Sequence, residues 1–175
     1  SNDRDYTSGG LDPIASRALQ ESGSHLALLV APAADGRGHI VAGVAGQRSP
    51  QFSGRRLTLD SPLLEGVLDG GEPVVLDHAS ALFGEIDAEI TGPLLAVALS
   101  TQGAHHGLLL LVRDPGALHY ARTDIEMGAV FGSHVALALE LARVHRLREE
   151  LLVYSDRDRI ARDLHDLVIQ RLFAA

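Results

Sequence analysis

Cysteine is absent from the 175 residues, so neither a disulfide framework nor a thiolate metal site can form. Lysine is absent as well, and all 15 strongly basic residues are arginine. Together with the abundance of Ala, Gly and Leu, that bias points to a high-GC genome. Long apolar runs are missing: the longest, residues 94–99 and 107–112, are far too short to span a bilayer. No signal-peptide pattern is visible, and a cytoplasmic location is the expectation. Positive charge is in deficit. The net charge is −8, and an acidic chain repels phosphate backbones, so no direct nucleic-acid partner is expected.

The residues that are present describe a soluble globular chain: 46% are hydrophobic and 22% charged. The length suits one ordinary domain with a modest extension and allows a real core. The chain opens on Ser1-Asn2, and residues 1–9 read as a tag remnant or linker. It stops inside a helical pattern, so a piece of a longer parent is expected.

Asp12-Pro13 reads as a helix start, with Asp12 as the cap and Pro13 in the first helical position. That helix should run to Glu21 and end at Ser22-Gly23. Residues 25–45 predict a hairpin, two apolar strands around the turn residues 35–38. Residues 47–56 read as a loop. Ser61-Pro62 starts a short helix that closes at Gly70-Gly71, and residues 73–76 form a short strand. A weak helix is expected over residues 80–86. A second hairpin pairs residues 93–100 with 107–113, and His105-His106 sits at its turn. Thr123-Asp124-Ile125-Glu126 has the form of a capping box. The longest helical pattern of the chain follows it. Val130, Leu137, Leu141, Val144 and Leu151 step by threes, fours or sevens, and His134 and Arg148 fill the remaining seam positions. This predicts a helix that leaves the domain and pairs in parallel with a second copy; the alternative is an ordinary C-terminal helix packed on its own sheet, and both hold if the first half packs on the domain and the second half pairs.

The order helix, hairpin, helix, strand, helix, hairpin, long helix gives an α+β domain, an antiparallel sheet with helices around it. Over residues 10–148 that order, the strand Gly-Leu-Leu-Leu-Leu-Val-Arg ending at Arg113 and the helix start at Thr123 resemble a GAF sensory domain. Residues 149–175 then hold the signalling helix and the opening of a dimerisation and phosphoacceptor helix, truncated.

Residues 156–166 read Asp-Arg-Asp-Arg-Ile-Ala-Arg-Asp-Leu-His-Asp. This string resembles the phosphoacceptor box of the NarL-partnered (HisKA_3) class of sensor histidine kinases, with Asp156 and Asp163 standing for Glu. Residues 168–174 are similar to the DevS/DosT kinases of mycobacteria, which place GAF domains before the same helix. Ala161, Leu164, Val168 and Leu172 share one helical face, suited to a bundle core, and His165 lies beside it. The resemblance implies that His165 is the phosphoacceptor, since an unprotonated imidazole nitrogen is a competent nucleophile. Asp166 would handle its proton. Gln170, one turn after Asp166, would orient water in a phosphatase reaction. Set against this is a surface helix with an incidental histidine, which a pattern held over eleven positions in one register argues against.

Elsewhere no histidine–carboxylate spacing of a metal site stands out, and none is expected. Some relatives hold haem through a histidine before the strand matching residues 93–99. Residues 84–92 contain no histidine and His78 lies earlier, so haem is not expected. The domain resembles the second, haem-free GAF of such kinases. Without lysine the Asn-Lys-Phe signature of cyclic-nucleotide-binding GAF domains cannot be complete. A pocket for an unknown small ligand could lie between the sheet and residues 61–92, where Leu82 and Phe83 suit either core or ligand lining.

The expectation is therefore the sensory and phosphoacceptor portion of a histidine kinase, a homodimer whose parent phosphorylates a NarL/LuxR-type response regulator. The fragment alone should be inactive, because ATP and Mg²⁺ belong to a kinase domain that is missing from it. The rival readings are a GAF dimerisation or ligand-binding module without kinase activity, and a transcription regulator whose last helix begins a DNA-binding unit.

Overall fold

The computed structural model describes residues 10–57, 61–69, 71–83, 86–102 and 104–173. The chain divides into two units, Ser1–Ala138 and Leu139–Ala175. Helix α1 (Asp12–Ser22) leads into strands β1 (Leu26–Pro32) and β2 (His39–Gly46). A 3₁₀ turn (Ser49–Gln51), β3 (Arg56–Leu57), α2 (Pro62–Leu68), β4 (Val74–Leu76) and α3 (Ser80–Phe83) follow. Strands β5 (Leu94–Thr101) and β6 (Ala104–Val112) form the second hairpin, and α4 runs over Arg122–Phe173.

The six strands form one antiparallel sheet in the order β3-β2-β1-β6-β5-β4. Its centre is the pair β1–β6, with Leu26 opposite Val112 and Val30 opposite Leu108. These strands are covered on both faces, which is why they read as continuous apolar runs rather than alternating ones. Leu26, Leu28, Val30, Leu94, Ala96, Leu108 and Leu110 face a core completed by Phe52, Leu64, Val67, Ala79, Phe83 and Ile90. The other face meets α1, through buried Ala15 and Ala18, and the first turns of α4. A Cβ on Gly128 would lie 3.2 Å from Val97, and one on Gly132 would lie 2.6 Å from the carbonyl oxygen of Ala98. The two glycines thus let α4 approach β5 closely.

Several expected elements shift for identifiable reasons. Asp12 does not cap its helix; Leu11 is the cap residue, and the Asp12 carboxylate accepts the Val44 N–H at 2.8 Å, tying α1 to β2. Ser61 likewise caps α2 without a side-chain hydrogen bond. The capping box falls two residues early: the carboxylate of Asp124, not Glu126, reaches back to the N–H of Ala121 at 2.7 Å. Glu126 pairs with Arg122 one turn earlier. The 47–56 loop contains the 3₁₀ turn and ends in β3. The weak helix stops at Phe83, and residues 84 and 85 lie outside the described set. His105 and His106 belong to β6 rather than to the turn, and His106 is buried. The register between β5 and β6 slips there, and Gly107 takes φ +129° with its α-carbon against the carbonyl of Val30. By length and composition, one window of α4 is apolar enough to cross a membrane, which the shorter runs did not reveal. Part of that helix packs in the domain, where Val135 and Ala136 are buried.

Candidate functional site

His165, Asp166 and Gln170 lie on the second unit, on one uninterrupted stretch of α4, and all three side chains are exposed. Two kinds of residue keep this stretch helical. Arg159 pairs with Asp156 at 3.4 Å and Arg162 with Asp158 at 2.9 Å, so the alternating Arg and Asp are spaced as intrahelical ion pairs. Ile160, Leu164, Leu167 and Val168 form an apolar stripe between 50% and 58% exposed. An apolar stripe this exposed is the geometry of a helix that buries it against other helices.

Asp166 and Gln170 are one turn apart and share a face. His165 lies roughly 100° around the axis from Asp166, at the border of the apolar stripe. The helix thus brings the expected carboxylate and amide together and keeps the imidazole beside them. The end of the expected apolar face, Leu172, has a side chain outside the described set.

The sheet interior is filled by the protein's own aromatics. Phe52 and Phe83 are fully buried and meet edge to face, ring centres 5.7 Å apart. Phe83 is thus a core residue, with Leu82 packed against the same cluster. His78 is exposed, its Nδ1 3.4 Å from the carbonyl oxygen of Thr91. An ion cluster fastens the covering segments over this core. Arg48 binds Asp87 at 2.8 Å and also Glu89, and Gln51 donates to Asp87 at 2.6 Å. The Gln51 hydrogen bond, helped by the Glu89 N–H and by Arg48, holds the Asp87 carboxyl below its ordinary range. Arg48 takes φ +62°, a strained conformation whose sequence carries no signal of it.

At the opposite end of the sheet a broad cleft of about 850 Å³ is lined by Asp69, Ser100, Thr101, Gln102, His105 and Ser133. Desolvation pushes the His105 imidazole down, opposed by the charge of Asp69. His39 on β2 is pushed down by burial and then by His105. Among the described residues, no group of three or more His, Cys, Asp or Glu is placed to hold a metal ion.

Sequence reasoning missed the junction that carries α4. Arg113, at the end of β6, donates to the carbonyls of Ser22, Leu118 and His119 at 2.8, 3.0 and 3.1 Å. Its guanidinium also lies 3.5 Å from Asp124. The Tyr120 hydroxyl is hydrogen-bonded to Ser24 at 2.8 Å, and Ser24 to Ser22 at 2.7 Å. The only signal in the sequence was an arginine ending an apolar strand.

No protein-family model matches the chain. Solved structures do match the chain in shape over most of its length. The second GAF domain of DevS from Mycobacterium smegmatis superposes with a TM-score of 0.67 at 23% identity, over 79% of this chain and 96% of that one. The GAF domain of a phosphoenolpyruvate-protein phosphotransferase from Coxiella burnetii gives 0.64 at 20%, over 78% and 84%. A domain assigned to a two-component sensor histidine kinase protein of Sinorhizobium meliloti 1021 gives 0.58 at 14%, over 78% and 93%. The fold is the GAF fold, a curled six-stranded antiparallel sheet with flanking helices and a long C-terminal helix. GAF domains of this kind occur in sensor histidine kinases and in other signalling proteins.

Proposed function

We propose that this chain is the sensory and phosphoacceptor portion of a two-component sensor histidine kinase, which works as a homodimer in the cytoplasm. The observation that carries the reading is the string Asp156–Asp166 on one continuous helix, with His165 exposed beside an exposed apolar stripe. The likeness in fold to GAF domains of sensor kinases supports it.

In this reading the apolar stripe packs in a bundle formed with a second copy, and His165 faces solvent at the bundle's edge. One ring nitrogen attacks the terminal phosphorus of ATP; the N–P bond forms as the bond to the bridging oxygen breaks, and ADP leaves. The attack leaves the ring protonated on its other nitrogen, and the neighbouring Asp166 would stabilise or take up that proton. ATP and Mg²⁺ supply the phosphoryl group and its charge neutralisation, from a nucleotide-binding domain outside this sequence. The phosphoryl group then passes to the aspartate of a NarL/LuxR-type response regulator. Gln170 holds water in line for the reverse, hydrolytic reaction. The GAF unit biases the helix according to a signal, and its interior, filled by Phe52 and Phe83, suits a small ligand only if that pair moves.

The test is transfer of radiolabel from ATP to the full-length parent and then to its regulator. Label should be lost with His165→Ala while the circular dichroism of the protein is unchanged. Label that persists in His165→Ala overturns His165 as the phosphoacceptor, and a parent that takes up no label overturns the kinase reading and leaves a GAF interaction module in its place.

A further inference from the structure

A strict heptad through α4 would carry the dimer seam over Leu141, Val144, Arg148 and Leu151. That register sets two Arg148 guanidinium groups against each other across the twofold axis. Like charges facing one another in a desolvated seam repel, and an unpaired buried charge is strongly destabilising. One position earlier stands Leu147, which is 48% exposed, against 41% for Val144 and 61% for Leu141. The spacing Leu141, Val144, Leu147, Leu151 is three, three, four. Two threes in succession form a stammer, which locally overwinds a coiled coil and leaves the seam apolar.

We infer that a second copy of this chain docks along α4 on Leu141, Val144, Leu147 and Leu151, with Arg148 outside the seam. The inference rests on the homodimer proposed above and defines its contact surface. Charge on the segment selects the occupant. Glu140, Glu149 and Glu150 balance Arg143, Arg146 and Arg148, so the segment offers no field for a polyanion or a polycation. Glu140 borders the seam on one side and His145 borders it on the other, five residues on. That offset brings opposite borders of two parallel copies together, acid against imidazole.

The absence of native cysteine makes the test direct. Each residue from 140 to 152 is replaced singly by cysteine in the whole chain, and disulfide-linked dimer is measured after mild oxidation. Cross-linking requires α-carbons within about 7 Å, which only seam positions satisfy. Maxima are expected at 141, 144, 147 and 151, with Leu147→Cys linking several-fold more than Arg148→Cys. Equal or stronger linking by Arg148→Cys overturns the stammer while leaving the dimer intact. Absence of cross-linking at every position, with a monomer by sedimentation, overturns the homodimer itself.

Discussion

The guanidinium carbon of Arg113 lies 4.2 Å from the centre of the Tyr120 ring. The contact joins the end of the central strand β6 to the segment that starts α4. Arg113 is only 13% exposed and holds three backbone carbonyls besides. Replacing it by alanine removes charge-assisted bonds and a cation–π contact together, and leaves those carbonyls partly desolvated. Arg113→Ala should cost about 2–4 kcal/mol of unfolding free energy. Tyr120→Phe should cost about 1 kcal/mol, because Ser24 keeps Ser22 as a partner. Urea denaturation of the two variants measures both, and equal losses would deny Arg113 its central place.

Burial also sets the ionisation of Tyr120. Desolvation pushes its phenol up to about 12, against the opposing pull of the Ser24 hydrogen bond and of Arg113. The unfolded chain ionises this group at its ordinary value of 10.0. Its contribution to stability is therefore complete below pH 10 and is lost as pH rises toward 12. Ultraviolet titration should show one tyrosine of three that stays un-ionised until the protein unfolds, and Tyr120→Phe should remove it.

The sheet was legible because its strands are apolar runs separated by turn residues, and the helix because its period is long. Caps were less legible. Asp12 and Thr123 have the right chemistry for capping, yet Asp12 finds a better donor in Val44 on a strand 32 residues away. No local pattern encodes such a partner. His106 was misplaced for a similar reason: the register slip at Ser100 pulls the strand past the turn and carries the ring inside. The segment around His165 was legible as a string of residues, and its helix and its exposure follow from that string. Gly128 and Gly132, four apart on one face, went unremarked because their reason is the backbone of another strand.

That reason yields a paired prediction. A methyl on Gly132 would meet the carbonyl oxygen of Ala98 at 2.6 Å, and a strand backbone cannot turn aside. A methyl on Gly128 would meet only the side-chain tips of Val97 and Leu95, at 3.2 and 3.3 Å, which can give. Both substitutions gain up to about 1 kcal/mol of helix propensity. Gly132→Ala should still lose about 1–3 kcal/mol by overpacking, while Gly128→Ala should stay within about 1 kcal/mol of the parent. Thermal unfolding of the two single variants decides it.

Mild acid should destabilise the GAF unit through His39 and His105. Burial holds both imidazoles below the ordinary value of 6.5, so the folded state prefers them neutral. Their contribution is present above pH 6.5 and is lost as pH falls, because the unfolded chain takes up the protons first. The carboxyls of Asp35 and Asp87, held below 3.8, act in a separate and more acid window. Denaturation midpoints between pH 7.5 and 5 should fall for the parent and flatten for the His39→Gln, His105→Gln double variant. A double variant with the parent's slope would assign the loss to other groups.

Asp166 and Gln170 share a helical face but carry different chemistry, and in the proposed kinase parent that difference should separate two activities. In the proposed reaction a carboxylate can take up or hold a proton while the imidazole nitrogen of His165 gains phosphorus. Proton handling of that kind contributes roughly 10²–10⁴-fold, so Asp166→Ala should slow both autophosphorylation and dephosphorylation of the regulator. The amide of Gln170 is neither nucleophile nor base, and its proposed use is to hold a water in line with the aspartyl phosphate. Gln170→Ala should therefore keep autophosphorylation within a few-fold of the parent and slow loss of label from the regulator. Because both side chains are exposed, neither change should alter the fold, and circular dichroism checks this. If Gln170→Ala loses autophosphorylation as severely as His165→Ala, the amide is a packing residue of the bundle. The water-positioning role then falls, although His165 would remain the phosphoacceptor.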